Sequence, residues 1–571
     1  MMETTVPRKA PLPRIRAGSM LLLLLGATWA LAAAASDDEV EIGRRIYLEG
    51  MLPSGAQLQG ERAGGMPVSG ADAACVNCHR RSGMGSVEGD IQVLPVTGNY
   101  LFGFDGKAVV TMDPRSGRAF NQKHALYTVE SLAEAVRHGM NTSGRQMSAA
   151  MAHYALSDAE MKGVIAYLRQ LSEHWSPGVT ADSIRFATVV TPDVEPERRR
   201  ALLDTLRAAF AQKNGSTFPG RRYMAPPAEM MMGTGRKWEL DVWELQGPGE
   251  TWAGQLEERY RSRPVFALVS GASNGTWAPV HDFCQKERVP CWFPSVDLPE
   301  SGDGFYALYF SRGVALEAEV LARQLRSATR TRKLVQVFRD DYVGRGAAQA
   351  LSHALAGSGI AIEQRILGND SPDGLGRALA GLGHKDAVML WLRPADLAAL
   401  NALAPPRAPT FFSAELARDD GNAIPAAWKG QARLVSPYEV PDKRAANLRY
   451  FRTWLKTRGL PLVDERLQAE AYFALDFLTD TVSGMLDNLY RDYLLERAED
   501  MIARREGGKA EEEVRLLAAL KYNPAPSTRR EGTSLYPRLS LAPGQRFASK
   551  GGYLMRFDSG KLVAASAWVV P

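Results

Sequence analysis

The chain is poor in metal-binding side chains, since its 571 residues include only four cysteines and eight histidines. Cys284 and Cys291 form no CxxC pair, so a zinc site built from two such pairs is excluded. No segment after residue 35 is apolar enough to span a bilayer. The formal net charge is +5; residues 1–35 carry four positive charges and one Glu, or +3, which leaves +2. This balance gives no indication of nucleic-acid binding.

The first 35 residues have the pattern of an export signal. Their positive charges are Arg8, Lys9, Arg14 and Arg16, and the apolar core runs from Met20 to Leu31. Ala33 and Ala35 are the small residues that precede cleavage before Ser36. The leader holds no cysteine, which excludes a lipid-modified N-terminus. The pattern predicts a periplasmic protein with a cleaved signal peptide, and an uncleaved membrane anchor is the alternative.

The sequence Cys75-Val76-Asn77-Cys78-His79 is the most informative motif of the chain. Two thiols one short turn apart can each form a thioether to one edge of a porphyrin, and the next imidazole can reach the iron. The motif therefore predicts one covalently bound haem c. Half a zinc site and a thioredoxin-like dithiol are the alternatives, but no second CxxC pair and no preceding strand support them.

Residues 38–175 are predicted to form one small helical domain around this haem. Helices are expected at Glu39–Glu49 and Thr128–His138, and Gly43 would let another helix cross closely. The sequence Ser157-Asp158-Ala159-Glu160 is a capping box that opens a last helix. The loop before that helix holds the methionines that could supply a soft sulfur ligand to iron: Met140, Met147 and Met151.

This segment resembles the class I bacterial cytochromes c. The matching pieces are the Gly43/Tyr47 helix, Cys75–His79, Gly83, the Pro95–Gly98 turn, and Met151-Ala-His-Tyr-Ala-Leu-Ser-Asp-Ala-Glu-Met161 followed by Tyr167-Leu168. The resemblance implies an all-α domain in which His79 and Met151 are the axial ligands, with Met147 as the second choice. It also implies that the backbone carbonyl of Pro95 binds the other ring nitrogen of His79. His153 could replace the methionine, although an ordinary exposed histidine is the simpler interpretation.

After a linker at 176–182, residues 183–571 alternate predicted strands and helices, which indicates parallel sheets. The length favours two lobes. A charged stretch near 491–516 is expected to be a solvated helical insertion, with a docking surface as the alternative. Short strands are expected within 536–571. The fold class is thus an all-α domain followed by a two-lobed α/β region.

The second region resembles the type I periplasmic binding proteins, the group that includes the Leu/Ile/Val receptors of ABC transporters. The matching pieces are Phe266–Gly271, Arg288–Pro290, Phe338–Gly344, Phe411–Glu415 and the helix through Glu470–Leu489. The resemblance implies a ligand cleft between two lobes. Within it, Ser273 and Thr276 would hold a carboxylate, Glu415 would face an ammonium group, and Tyr342 would line the wall. Helix capping or a solvated charge is the alternative for the first three, and core packing is the alternative for Tyr342.

Export also bears on Cys284 and Cys291, because two remaining thiols in an oxidising compartment are expected to pair. Two buried free cysteines are the alternative.

The predicted function is one-electron transfer by a mono-haem cytochrome, not catalysis, with redox partner proteins such as a periplasmic dehydrogenase. A solute receptor or sensor with a redox-reporting haem, and a haem enzyme with a displaceable axial ligand, are the alternatives. Membrane contact is expected only through an uncleaved signal.

Overall fold

A computed structural model describes residues 36–571 apart from 89–90, 104–109, 113–118, 122–124, 216–234, 303, 328–330, 369–373, 419–420 and 507–533. The predicted signal peptide lies outside the described residues. The chain forms two compact units, and the first comprises Met1–Cys78, Val96–Phe102 and His124–Leu171. The second comprises His79–Pro95, Gly103–Lys123 and Ser172–Pro571. Three segments of the predicted 38–175 domain, residues 79–95, 103–123 and 172–175, thus belong to the second unit.

The elements up to residue 172 are short. They are α1 (Asp37–Glu49), β1 (Gln59–Arg62), β2 (Met66–Ser69), α2 (Val76–His79), β3 (Ser86–Glu88), β4 (Ile91–Val93), α3 (Gly98–Phe102), β5 (Val110–Met112), β6 (Ala119–Asn121), α4 (Val129–His138), β7 (His153–Tyr154) and α5 (Asp158–Gln170). A 3₁₀ turn at Gly70–Ala73 precedes the cysteines.

The first unit is not all-α, so that part of the predicted fold class is wrong. Strands β2, β1 and β7 form an antiparallel sheet in that order. The β1–β2 turn contains Gly64 and Gly65, both with positive φ, which suits a tight reversal. These strands have few apolar residues and little burial, so they lack the alternating pattern that reveals a strand in a sequence.

The helices of the first unit begin where the sequence predicts. Thr128 and Ser131 cap α4 reciprocally, and Ser157 and Glu160 do the same for α5. Helices α1 and α5 pack together, with the rings of Tyr47 and Tyr167 centred 5.3 Å apart. These two helices form the core of the unit.

The second unit begins with an α/β lobe. Its elements are β8 (Ser183–Val190), α6 (Pro196–Gly215), β9 (Lys237–Glu244), α7 (Trp252–Ser262), β10 (Ala267–Val269), β11 (Ala272–Ser273), α8 (Ala278–Lys286), β12 (Cys291–Trp292), β13 (Ser295–Val296) and β14 (Ala307–Leu308). The strands form one parallel sheet in the order β13-β11-β8-β10-β12-β14, with β9 also paired to β8.

A second sheet carries the other lobe. From residue 314 onward the elements are α9 (Val314–Ser327), β15 (Lys333–Arg339), α10 (Tyr342–Ala354), β16 (Ala361–Leu367), α11 (Gly374–Leu379), β17 (Asp386–Trp391), α12 (Pro394–Leu397), β18 (Thr410–Ser413), α13 (Ala414–Ala417), α14 (Ala426–Lys429), β19 (Ala432–Ser436), α15 (Pro441–Asn447), α16 (Arg449–Thr457), α17 (Glu465–Met485), α18 (Arg491–Glu506), β20 (Tyr553–Asp558) and β21 (Lys561–Ala564). Of these, α17 packs on α6 of the first lobe, and Arg491 at the start of α18 donates to the carbonyls of Val265 and Phe266 in that lobe. The order is β16-β15-β17-β18-β19-β20-β21, and the last two strands are antiparallel. The predicted two-lobed α/β fold is confirmed.

Helix α18 is not the solvated insertion that its charged sequence predicts. Leu494, Leu495, Ala498 and Ile502 are fully buried, and the side chains of Glu496 and Glu499 are only 4% exposed. The apolar residues recur at helical spacing and pack into the core of the unit, so the charged residues among them find partners inside the protein. Residues 507–516 of the predicted insertion lie outside the described residues. No helix in the described part of the chain combines the length and apolar character needed to cross a membrane.

Candidate functional site

The two cysteines of the haem motif lie one helical turn apart. The N–H of Cys78 donates to the carbonyl of Cys75 at 3.2 Å, and the short helix α2 continues to His79. Burial and the nearby Cys78 raise the pKa of Cys75 to about 12. The thiol of Cys75 is therefore protonated at neutral pH in the protein without haem.

The imidazole of His79 is fixed by a backbone carbonyl, but the carbonyl belongs to Leu94 and not to Pro95 as predicted. Nδ1 of His79 lies 3.0 Å from the Leu94 oxygen. The reason is the tight turn after His79, in which Gly85 approaches β4 so closely that a Cβ would lie 2.1 Å from the Val93 oxygen. A carbonyl only accepts, so Nδ1 carries the proton and Nε2 keeps its lone pair.

These residues fit a haem c. Burial lowers the pKa of His79, so the ring is neutral near pH 7, as an iron ligand must be. The donor set consists of two thiols at one turn and an imidazole whose Nε2 lone pair is available for iron.

The methionine loop is closed by backbone hydrogen bonds within the first unit. The N–H of Met147 donates to Gly139 at 2.7 Å, and that of Met151 donates to Ser148 at 3.0 Å. His153 lies in β7, where its ring packs so closely on Gly139 that a Cβ there would be 2.3 Å from Nε2. The choice of Met151 over Met147 as the second axial ligand stays a prediction.

Ser273, Thr276 and Tyr342 make contacts within the protein in the second unit. The Ser273 hydroxyl donates to the Thr276 carbonyl at 3.1 Å, and the Thr276 hydroxyl accepts from the N–H of Ala278 at 3.2 Å. The Tyr342 hydroxyl donates to Glu300 at 2.6 Å. The Thr276 hydroxyl thus accepts from the first N–H of α8, whereas the Ser273 hydroxyl binds a carbonyl of the preceding loop and caps no helix. A ligand role for these hydroxyls stays a prediction.

Glu415 is buried against cations and hydroxyls of the chain itself. Its Oε1 lies 2.7 Å from Nη2 of Arg466, and the Tyr438 hydroxyl donates to its other oxygen. Burial raises the pKa of Glu415 to about 7 against the lowering effect of Arg466, and nearby Glu470 raises it further. Arg466 thus occupies the position predicted for a ligand ammonium. The adjoining cavity, lined by Glu415, Arg466, Glu470 and Tyr536 among others, measures about 10 Å³, enough for about one water.

An ion cluster around Asp297 joins the two lobes and was missed by the sequence analysis. Asp297 follows β13 and is 2% exposed, and its carboxylate lies 2.6 Å from Arg393, 3.3 Å from Arg466 and 3.7 Å from Arg418. Burial would raise the pKa of Asp297, but these arginines, Arg393 foremost, hold it well below its usual range. Asp297 directly follows the parallel strand β13, and Arg393 is the second residue after the parallel strand β17. Their positions at strand ends were the signal available in the sequence, since such ends face a cleft.

Cys284 and Cys291 form a disulfide that links α8 to β12. Both residues are buried in the core of the first lobe. The bond closes a short loop beneath the sheet, so it stabilises the lobe and stands apart from the sites above.

Residues 70–172 match the family model for cytochrome c. No curated protein matches the chain. The family match covers the cysteine motif, His79 and the methionine loop. The chain therefore carries a cytochrome c domain, as the sequence predicts, and such a domain implies haem c binding.

Solved structures resemble the other part of the chain. A branched-chain amino acid ABC transporter protein from Thermus thermophilus, with bound valine, is 10% identical with a TM-score of 0.50, covering 68% of this chain and 97% of that one. A fatty acid substrate-binding protein from Thermomonospora curvata is 13% identical (TM-score 0.49; 70% and 95% covered). LivJ from Streptococcus pneumoniae with isoleucine is 12% identical (TM-score 0.48; 68% and 100% covered). The Thermus thermophilus structure shows that most of the chain shares the fold of the type I periplasmic binding proteins.

Proposed function

We propose that the protein is a periplasmic mono-haem cytochrome c that transfers one electron at a time between redox partner proteins, such as a dehydrogenase. The observation that carries this proposal is the contact between Nδ1 of His79 and the carbonyl of Leu94. This contact fixes the tautomer and the ring orientation that an axial imidazole needs, next to two thiols at the spacing of thioether attachment.

Each residue has a separate task in this function. When bound, the haem supplies an iron that cycles between the ferric and ferrous states. Cys75 and Cys78 hold the group covalently, and His79 provides the neutral imidazole. Met151, or Met147 in its place, would supply a thioether sulfur as the second ligand. An iron bound by both side chains would leave no position for a substrate, which favours a carrier over an enzyme.

A second candidate function is that of a solute receptor whose haem reports redox state. The position of Glu415 favours it, because this carboxyl group follows a strand of the second sheet and faces the small cavity between the lobes. A ligand ammonium could replace the Arg466 guanidinium there. The cavity is too small for an amino acid, so this function requires the lobes to part.

The test is the visible spectrum of the full-length protein expressed in cells that attach haem c. We expect a haem signal that stays with the denatured chain, and a sulfur-to-iron charge-transfer band in the oxidised protein. The double variant Cys75→Ala/Cys78→Ala should lose the signal, while the control Cys284→Ala/Cys291→Ala should keep it. Carbon monoxide binding to the reduced wild type at neutral pH would instead support the haem enzyme. Stabilisation by valine, isoleucine, amides or small acids in a thermal-shift screen would support the receptor.

A further inference from the structure

The turn after His79 is held in a single shape by its own backbone. Arg80 has a φ of 64°, and the N–H of Gly83 donates to the Arg80 carbonyl at 3.3 Å. The N–H of Gly85 donates to the carbonyl of His79 itself at 3.1 Å. Any displacement of residues 80–85 is therefore transmitted to the backbone that carries the imidazole.

Glu496 on α18 binds this turn from within the second unit. The N–H of Ser82 donates to Oε1 at 3.0 Å, and the Ser82 hydroxyl forms a hydrogen bond with Oε2 at 2.5 Å. The same hydroxyl accepts from the N–H of Met84 at 3.1 Å. Ser82, Met84 and Glu496 are all buried, so water does not compete for these bonds.

Arg80 and Arg81, at the start of the turn, also bind helix α18. Nη2 of Arg80 lies 3.2 Å from Asp500 and 3.5 Å from Glu499. Arg81 lies 4.0 Å from Asp492, and its guanidinium covers the Phe305 ring at 4.7 Å. The acidic residues of the helix stand at positions 492, 496, 499 and 500, a spacing that places them on one face. That face packs on the turn within the second unit, and the docking surface considered for the charged stretch stays a prediction.

We propose that Glu496 is a positioning residue for the axial ligand His79, an inference that rests on the proposed haem function. By binding Ser82 it fixes the turn that orients the imidazole, so a helix of the binding-protein fold sets the ligand geometry and the reduction potential of the haem. Outer contacts of an axial ligand and exposure of the haem to water both tune that potential.

We expect Glu496 to act through its two hydrogen bonds with Ser82 and not through charge. Burial raises the pKa of Glu496 to about 8, and the negative charge of Asp492 raises it as well. The hydrogen bonds from Ser82 and the positive charge of Arg80 act in the opposite direction and lower it. A carboxyl group that is mainly protonated at pH 7 keeps its shape and its acceptor when replaced by an amide. Glu496→Gln should therefore preserve the turn, whereas Glu496→Ala should release it.

The experiment compares the full-length holoprotein with Glu496→Ala, Glu496→Gln and Ser82→Ala. The control is Glu317→Ala in α9, because buried Glu317 likewise accepts from a serine hydroxyl (Ser413) and a backbone N–H (Glu415, 2.9 Å). The readouts are the midpoint potential, the fraction of ferrous haem that binds carbon monoxide, and the melting temperature. Glu496→Ala and the control should both melt at lower temperature.

Only Glu496→Ala and Ser82→Ala should also change the midpoint potential of the haem and its binding of carbon monoxide. At the midpoint potential of the wild type, we expect Glu496→Ala to have about a tenfold higher ratio of ferric to ferrous haem. This corresponds to a midpoint potential that is lower by about 59 mV for one electron. Water entering the vacated space favours the ferric state. Carbon monoxide binding should increase several-fold, Glu496→Gln should match the wild type, and the Glu496/Ser82 double variant should shift no further than Glu496→Ala.

Two results would overturn the inference while leaving the proposed function intact. One is an unchanged potential and unchanged carbon monoxide binding in both Glu496→Ala and Ser82→Ala. The other is a shift in Glu496→Gln as large as that in Glu496→Ala. A wild-type protein without covalent haem would instead overturn the proposed function itself, and this is measured before any variant is compared.

Discussion

A Cβ atom on Gly43 would lie 2.1 Å from the carbonyl oxygen of Gly163. Gly43 is on α1 and Gly163 on α5, so the two helices cross with backbone against backbone. Such close approach is possible only where a residue has no side chain. The crossing joins the N-terminal helix of the cytochrome domain to the helix that follows the methionine loop.

We therefore expect Gly43→Ala to destabilise the first unit by about 1–3 kcal/mol, because the obstructing atom belongs to the backbone and cannot rotate away. Haem absorbance during denaturant unfolding measures the change. The matched control is Gly254→Ala on α7, where a helical glycine faces open space. There alanine should stabilise by up to about 1 kcal/mol. Equal effects at the two positions would contradict the close crossing.

Local signals in the sequence were enough to predict the longer helices of the first unit. Thr128 before α4 and the Ser157–Glu160 capping box before α5 each act within a few residues of their own position, so their meaning survives without knowledge of the fold. The alternation of strands and helices likewise predicted the parallel strands in both sheets of the second unit.

Features that depend on distant partners could not be predicted in the same way. The choice of Leu94 over Pro95 depends on how closely Gly85 approaches β4. The burial of Glu496 depends on a turn more than 400 positions earlier in the chain. The arginines around Asp297 come from three separate segments, and no spacing rule connects them.

Removal of the carboxylate at Asp297 should separate the lobes or unfold the second unit. Asp297→Asn removes the anion shared by the buried Arg466 and the partly buried Arg393 and Arg418. Breaking a buried ion pair in this way costs about 3–5 kcal/mol. Chemical denaturation, followed by the tryptophan fluorescence of the second unit, measures the loss.

The control for Asp297→Asn is Asp241→Asn. Asp241 pairs with Arg263 at 2.8 Å, and that guanidinium is half exposed, so this substitution should cost no more than about 1 kcal/mol. If Asp297→Asn is as mild as this control, the cluster does not hold the lobes together.

The disulfide contributes less than the ion cluster because its loop is short. Cys284 and Cys291 are separated by 7 positions, and the entropy of closing such a loop stabilises by about 2–3 kcal/mol at most. Cys284→Ala/Cys291→Ala should therefore melt at a lower temperature while keeping its haem spectrum. Melting curves of the wild type with and without reductant should differ by a similar amount, and those of the variant should coincide.

Glu415 should make the stability of the second unit depend on pH near neutrality. Its folded pKa, raised to about 7 by burial in spite of Arg466, lies above the ordinary value of 4.5. Between these values the folded state holds a proton that the unfolded state releases, so stability falls as pH rises from about 5 to 7. Glu415→Gln removes this titration while keeping the shape of the side chain and one acceptor oxygen, which can still bind Arg466. Unfolding free energies at pH 5, 6, 7 and 8 should decline more steeply in the wild type than in Glu415→Gln. If the unfolding free energies of the wild type and Glu415→Gln change in parallel with pH, Glu415 is ionised throughout this range because its contact with Arg466 stabilises the carboxylate.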